Sequence, residues 1–206
     1  MLNQDLIIKN VDLEDKIYVA YSGGPDSTAL LHLLAKMSID HKLEVKAIHV
    51  NHNLSKESKA WEGHCKKICS ILNIDLIIKS VQIISDGGGI ESASRKARYK
   101  IFENLLESGD QILLAHHSDD VAETIFMRLL RGTGVDGLEG PKFIREIGKG
   151  RLIRPLLKIT KKEILNYLVE NNIQYIEDDS NINNEFDRNF LRNKIFPMLE
   201  DRWKGC

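Results

Sequence analysis

Six consecutive residues, Ser22-Gly23-Gly24-Pro25-Asp26-Ser27, combine the backbone freedom of two glycines with two hydroxyls and a carboxylate. They follow the apolar run Ile17-Tyr18-Val19-Ala20-Tyr21 and precede the helical pattern Thr28-Ala29-Leu30-Leu31-His32-Leu33-Leu34. A buried strand, a glycine turn and a helix N-terminus in that order make an anion site. Glycine lets N–H groups crowd a phosphate, and the first helical turn offers unpaired donors at its positive dipole end. Pro25 presets φ for entry into the helix. The spacing is not that of a Walker loop, which needs a lysine after its last glycine, nor of the G-x-G-x-x-G dinucleotide turn. A strand-to-helix turn that binds nothing is the rival reading, and the polar residues within the turn weigh against it.

A second group is His116-His117-Ser118-Asp119-Asp120, with Glu123 one turn further on. Acids in the first turn of a helix offset its dipole by a few tenths of a kcal/mol, which accounts for one or both aspartates. It does not account for two histidines at the preceding strand end. Carboxylates beside a triphosphate hold Mg²⁺ or attract an incoming ammonium group. His49-x-x-His52 has metal-like residue types, yet strand side chains three apart point to opposite faces, so nucleotide or substrate contact fits better. Arg95, Lys96, Arg98 and Lys100 place four cations at a helix start, either as a solvated basic face or as phosphate ligands. Between residues 128 and 158, Arg128, Arg131, Lys142, Arg145, Lys149, Arg151, Arg154 and Lys158 face only Asp136, Glu139 and Glu146. Such a segment beside a phosphate loop suits a polyanion arriving from one side.

The elements that must position these groups alternate in type. Strands are expected at Ile17-to-Tyr21, Leu43-to-Val50, Ile74-to-Val81, Gln111-to-Ala115 and Leu152-Ile153. Helices are expected after the phosphate loop to about Met37, along the Trp61, Cys65, Ile68 and Leu72 face, and from Ser92 to a stop at Gly109. Ser118 is expected to cap a helix with core stripes Val121/Ile125/Leu129 and Ala122/Phe126/Leu130, and Gly132 to stop it. Gly87-Gly88-Gly89 reads as a flexible loop and residues 132–150 as a mobile one. Thr160-Lys161-Lys162-Glu163 is a capping box, and a last helix starts near Arg188 and runs into Pro197. The order predicts an α/β fold: a doubly wound, mostly parallel five-stranded sheet with helices on both faces. Ligands then bind outside the carboxyl ends of the strands, where the motifs converge.

With 206 residues the chain is long enough for a real core and one α/β domain. A net charge of −1 gives no global nucleic-acid signature, so local clusters must carry that argument. No signal peptide opens the chain and no apolar run reaches membrane-spanning length. Three cysteines without a paired framework suit a reducing cytoplasm. Cys65 and Cys69 lie on or beside a packing face and are expected to be core rather than ligands.

Ser-Gly-Gly-x-Asp-Ser resembles the PP-loop of the ATP pyrophosphatases, which cleave ATP between its α- and β-phosphates. Further stretches resemble one branch, the tRNA(Ile)-lysidine synthases. Residues 89–99, Gly-Ile-Glu-Ser-Ala-Ser-Arg-Lys-Ala-Arg-Tyr, are similar to that branch's G-I-E-x-x-A-R-x-x-R-Y, with Ser94 in place of alanine. Residues 115–124 are similar to its A-[HQ]-H-x-D-D-x-x-E-T. Arg131-Gly132 with Gly137-Leu138, residues 151–156, Ile176 to Asn181 and Asp187 to Arg192 follow in the branch's order. Two departures are visible: Asn53-Leu54-Ser55 stands where the branch has Gly-Leu-Arg, and the chain stops at Cys206, where members continue into tRNA-recognition domains.

The resemblance implies the fold of the adenine nucleotide alpha hydrolase-like group, with residues 1–186 a catalytic domain and 187–206 a helical segment beginning a connector. It implies ATP and Mg²⁺ as cofactors and tRNA(Ile) and free L-lysine as partners, with the oligomeric state, a homodimer included, left open. It implies ATP contacts at Ser22, Gly23, Gly24, Pro25, Asp26, Ser27, His49, His52, Arg95 and Arg98. Catalytic roles fall to Asp26, His117, Asp119, Asp120 and Glu123, metal to Asp26 and Asp120, and tRNA contacts to Arg131, Arg151 and Arg154. The rival readings are another PP-loop thiolation or amidation enzyme, and a nucleotide-binding module without chemistry.

Overall fold

The computed structural model describes residues 2–53, 57–83, 89–134, 138–178 and 182–204. Leu54, Ser55, Gly87, Gly88, Asp136, Gly137, Asp179, Ser180, Asn181 and Cys206 lie outside the described residues. Strands β1 (Ile17–Ala20), β2 (Val45–Asn51), β3 (Asp75–Ser80), β4 (Gln111–Leu113), β5 (Ile144–Ile147) and β6 (Gly150–Ile153) form one sheet ordered β3-β2-β1-β4-β6-β5. All neighbouring strands are parallel except β5 and β6, which form an antiparallel hairpin.

The sheet thus has six strands where five were expected, and β5 lies inside the stretch read as a loop. Ile144 and Ile147 stand three apart, so the segment lacks the two-residue alternation that marks a strand. Its pairing comes from β6, with Ile147 opposite Gly150 and Ile144 opposite Ile153. At Gly150 a Cβ would lie 2.4 Å from the Asp110 carbonyl oxygen, so no larger residue fits where the hairpin passes β4.

Along β1 the pleat sends Ile17 and Val19 into one core and Tyr18 into another. The larger core joins them to Leu30, Leu31, Leu34 and Met37 of α2 (Pro25–His41), Cys65, Ile68 and Cys69 of α3 (Ser58–Ile71), and Ile164 and Leu168 of α6 (Lys161–Glu170). On the other face Phe102 of α4 (Ile90–Leu105) packs with Leu106, Ile48, Ile112, Leu114 and Leu152. Ile7 of the short α1 (Asp5–Ile8) closes one edge of the larger core.

Helix α5 (Ser118–Leu130) departs from expectation in two ways. His117, in extended conformation, is its N-cap, and Ser118 is already the first helical residue. Its expected core stripes are half-buried or exposed, with Leu129 and Leu130 open to solvent, and its buried residue is Glu123. The last segment comprises α7 (Asp187–Phe190), a five-residue π turn (Leu191–Ile195) and α8 (Phe196–Arg202), and it continues through Pro197 instead of ending there. A proline ring clashes with the carbonyl four residues back in a regular helix, and a widened turn just before it relieves that contact.

β1 pairs with β2 on one side and β4 on the other. The chain therefore works outward from β1 to β3 and then returns across β1 to start β4. The carboxyl ends of β1 and β4 flank this reversal, which is where open α/β sheets bind ligands.

Candidate active site

The phosphate loop leaves the carboxyl end of β1. Tyr21 N–H still bonds Ile48 O at 2.8 Å, and His49 Nδ1–H donates to Tyr21 O at 3.0 Å, so the loop's first residue is fixed from β2. Gly23 then takes φ +88°, where a Cβ would lie 3.1 Å from Cys65 Sγ; both the turn and the space beneath it require glycine. Ser27 Oγ donates to Gly24 O at 3.1 Å and accepts from Ser22 N–H at 3.2 Å, closing the loop on the start of α2. Pro25 occupies the first turn, and the first helix-type amide bond runs from Thr28 N–H to Gly24 O. The Asp26 and Ser27 amides precede that bond and form the donor end of the helix.

Four residues beyond β4, His117 sits 3 % exposed among three carboxylates. Its Nε2 lies 3.7 Å from Asp26 Oδ1 and 3.5 Å from Asp120 Oδ2, and its Nδ1 lies 3.6 Å from Asp119 Oδ1. Burial works to lower the His117 pKa, but Asp119, Asp120 and Asp26 outweigh it and raise it above the usual 6.5. His117 chiefly, with the Lys161 amide and the Ser118 hydroxyl, holds Asp119 well below the ordinary carboxylate range. Burial opposes the same effect at Asp120, yet His117 chiefly, with Arg188, keeps its pKa depressed. Asp120 also accepts the His117 N–H at 3.0 Å, fixing the first turn of α5.

The expected residues therefore separate. The loop of Ser22, Gly23, Gly24, Pro25, Asp26 and Ser27 reaches the His117, Asp119 and Asp120 group at the strand reversal through Asp26. Glu123 belongs to the same helix but faces inward: it is 0 % exposed, and Arg188 Nε and Arg192 Nε each donate to one of its oxygens at 2.7 Å. Both arginines also approach Asp120 Oδ1, at 3.8 Å each. His52 and Arg98 lie near one another, since burial first and then Arg98's charge lower the His52 pKa. Arg98 Nε, Ser94 Oγ and His52 Nδ1 are buried without a hydrogen-bond partner. Arg95 is exposed and stacks 4.9 Å over the Tyr99 ring.

The three arginines assigned to tRNA lie apart. Arg131 follows the far end of α5, about 20 Å from its first turn at 1.5 Å per residue. Arg151 pairs in register with Gln111, at the amino end of β4 and hence the opposite edge of the sheet, and meets Asp15 at 3.5 Å. Arg154 is 3 % exposed and donates to His116 Nδ1 at 3.0 Å, Lys142 O at 2.6 Å and Tyr99 Oη at 3.3 Å, so it has no free face for a phosphate. Accepting at Nδ1, His116 is neutral, and burial first, then Arg154, Arg95 and Arg98, push its pKa down to about 3 against the pull of Asp120. The basic segment is dispersed in space, with Arg145 on the Tyr99 ring and Lys149 on Glu107.

Lys161 was not singled out from the sequence beyond its place in the capping box, which forms as expected with Thr160 N–H and Glu163 Oε2 at 3.0 Å. Its Nζ donates to Asp26 Oδ1 at 2.6 Å and its N–H to Asp119 Oδ1 at 3.2 Å. In the sequence Arg188 and Arg192 stand out only as part of the stretch Asp187 to Arg192. Their partner is more than 60 positions away, and local pattern gives no signal of it.

Among the described residues no group of three or more His, Cys, Asp and Glu is arranged to hold a metal unaided. A Mg²⁺ carried by nucleotide phosphates needs only one or two protein carboxylates, and Asp26 and Asp120, both flanking His117 Nε2, fit that need. Cys65 and Cys69 are packed in the core, where burial pushes both thiols up to about 12. No helix of the described residues is long and apolar enough to cross a membrane.

Comparison with known proteins agrees with this geometry. A family model described as a PP-loop domain matches residues 3–199. The tRNA(Ile)-lysidine synthase of Coxiella burnetii is 41% identical over 186 residues, covering 90% of this chain and 41% of that protein. Its counterpart in Pseudomonas fluorescens is 44% identical, covering 90% of this chain and 42% of that protein. The chain thus spans less than half the length of these curated relatives. Among solved structures, a U34-tRNA thiolase from Methanococcus maripaludis superposes with a TM-score of 0.73 at 20% identity, over 99% of this chain and 70% of that one. NMN synthetase from Francisella tularensis superposes with a TM-score of 0.53 at 12% identity, over 78% of this chain and 63% of that one. At such identities these likenesses establish the fold alone. A glycine loop at the carboxyl end of β1, an acidic helix start beside it and a family match over nearly all the residues have one conclusion: the chain belongs to the PP-loop family.

Proposed function

We propose that this chain is the ATP-binding catalytic domain, residues 1–186 with 187–206 beginning a connector, of a tRNA(Ile)-lysidine synthase. Its reaction converts the wobble cytidine of a CAU anticodon to lysidine. The observation that carries the reading is the convergence of Asp26 with His117, Asp119 and Asp120 at the mouth of the phosphate loop, in a chain 41% and 44% identical to two proteins of that name.

The α2 amides and the hydroxyls of Ser22 and Ser27 hold the triphosphate, and His49 keeps the loop in place through the Tyr21 carbonyl. His52, Arg95 and Arg98 line the approach on the β2 and α4 side. The C2 carbonyl oxygen of cytidine attacks the α-phosphorus, the bond to the β-phosphate breaks and pyrophosphate leaves. The ε-ammonium of lysine gives up one proton to solvent, and the resulting amine adds to C2. The C2–O bond breaks, AMP departs and a second proton passes from the new C–N centre to solvent. Mg²⁺ on Asp26 and Asp120, when bound, offsets charge on the phosphates. With depressed pKa values Asp119 and Asp120 act as fixed negative charges that orient the lysine ammonium. Glu123 serves as a positioning residue, tying α5 to the last helical segment, and Arg154 positions His116. Arg131 is left as the exposed candidate for tRNA backbone contact, which places the polyanion along α5. The reaction belongs in the cytoplasm, where tRNA, ATP and lysine meet.

Mass analysis of tRNA(Ile) incubated with the protein, ATP, Mg²⁺ and lysine tests the reading; the expected product is one lysidine, dependent on all three additions. A sulfur-containing product would instead favour thiolation, which the core placement of Cys65 and Cys69 argues against. Absence of any ATP-dependent mass change, with the relatives' remaining domains supplied, would refute it.

A further inference from the structure

The phosphate loop lacks the lysine with which a Walker loop grips its phosphates. The fold brings an ammonium to the loop from 135 residues away, where Lys161 Nζ meets Asp26 Oδ1 at 2.6 Å. Lys161 is the first residue of α6, and that helix start is held rigidly. Its own N–H is bound to Asp119, Ser118 N–H bonds Ile159 O at 2.9 Å, and the Thr160–Glu163 box closes the first turn. Only the four-carbon side chain is left to move. At 32% and 28% exposure the pair is partly open at the mouth of the loop, and a partly open ion pair contributes less to stability and exchanges partners more readily than a buried one. A bare carboxylate among phosphate-binding amides repels the ligand those amides attract, and Lys161 offsets it. Were Asp26 to hold a Mg²⁺ carried by the phosphates, the ammonium would be left beside the same amides.

We propose that Lys161 is a pyrophosphate-binding residue of this site: its ammonium moves from Asp26 to the β- and γ-phosphates and offsets charge on the departing pyrophosphate. The inference rests on the reading of residues 22–27 as the ATP site, and it requires neither tRNA nor lysine. Calorimetric titration of the wild-type chain, Lys161→Met and Lys161→Arg with inorganic pyrophosphate, and separately with AMP, tests it in the presence of Mg²⁺. Lys161→Met is expected to weaken pyrophosphate binding about 10- to 100-fold, the range of one charge-assisted hydrogen bond, and AMP binding less than about threefold. Lys161→Arg is expected to restore most of the pyrophosphate affinity. Unchanged pyrophosphate binding in Lys161→Met overturns the proposal, as does a parallel loss for AMP, which would signal collapse of the loop. A wild-type chain that binds pyrophosphate in this way but makes no lysidine with the relatives' remaining domains supplied would refute the substrate assignment and leave Lys161's role standing.

Discussion

Asp26 and Glu123 are carboxylates that meet cations at the same end of the sheet, and they are built in opposite ways. Asp26 is partly open, held by one flexible lysine, with His117 at 3.7 Å. Glu123 is shut off from solvent and gripped by two arginines through both oxygens. A pair at the surface exchanges partners at little cost, whereas breaking a buried one strands a charge away from water. The site therefore has an exchangeable half that meets ligand and a fixed half that aims it. Asp120 joins them, since its Oδ1 faces both arginines while its Oδ2 faces His117.

The sharpest way to break this contrast is to remove each acid in turn. Asp26→Ala should lower pyrophosphate release by at least about 10²–10³-fold, the scale of losing one preorganised electrostatic partner, while the melting temperature stays within a few degrees. Glu123→Ala should do the reverse, costing about 3–5 kcal/mol by leaving Arg188 and Arg192 without their shared partner. In a chain of this size that is a fall on the order of 10 °C in a thermal melt. Were Asp26→Ala to unfold the protein and Glu123→Ala to leave it unchanged, the two halves would be assigned the wrong way round.

A smaller effect divides the two neighbouring histidines. His116 is held down to about 3 in the native protein against an ordinary 6.5. Below 6.5 the unfolded chain takes up a proton there that the native chain refuses, so stability falls toward acid until the native pKa is reached. His117 is raised instead, so the stability it contributes is present below 6.5 and is lost as pH climbs through its native pKa. Urea midpoints in metal-free buffer at about pH 7.5 and pH 5 should show His116→Asn with a shallower acid loss than wild type and His117→Asn with a steeper one. Smallest of all, Arg151→Ala should shift stability by no more than about 1 kcal/mol. It should leave tRNA affinity unchanged, because its guanidinium sits with Asp15 at the far edge of the sheet; a clear loss of tRNA binding would restore it to the interface.

The parts legible in the sequence were those governed by neighbours. The phosphate loop, the Thr160–Glu163 capping box and the buried strands β1, β2 and β4 follow from turn chemistry, side-chain reach over three residues and apolar runs. What escaped depended on distant partners. Glu123 looks like one more acid in the first turns of α5 until Arg188 and Arg192 enclose it, and Lys161 looks like a capping-box filler until the fold delivers it to Asp26. Arg154 and Arg151 contribute equally to a count of positive charge, yet one is buried against His116 and the other rests at the opposite edge. Composition cannot tell which arginine the packing will draw in. The apolar stripes of α5 have the right period for a core, and period does not say whether any surface lies opposite.

The π turn at Leu191–Ile195 sets the rotational phase of the chain's last helix. An extra residue per turn rotates everything after it by roughly 100° relative to an unbroken α-helix. With that offset the Phe196 ring meets Phe126 edge-on at 5.1 Å, while Arg188 and Arg192 upstream still point at Glu123. Deleting a turn residue that follows Arg192 would keep both arginines on their carboxylate and swing the aromatic contact out of line, separating a grip that orients α5 from one that merely fastens it.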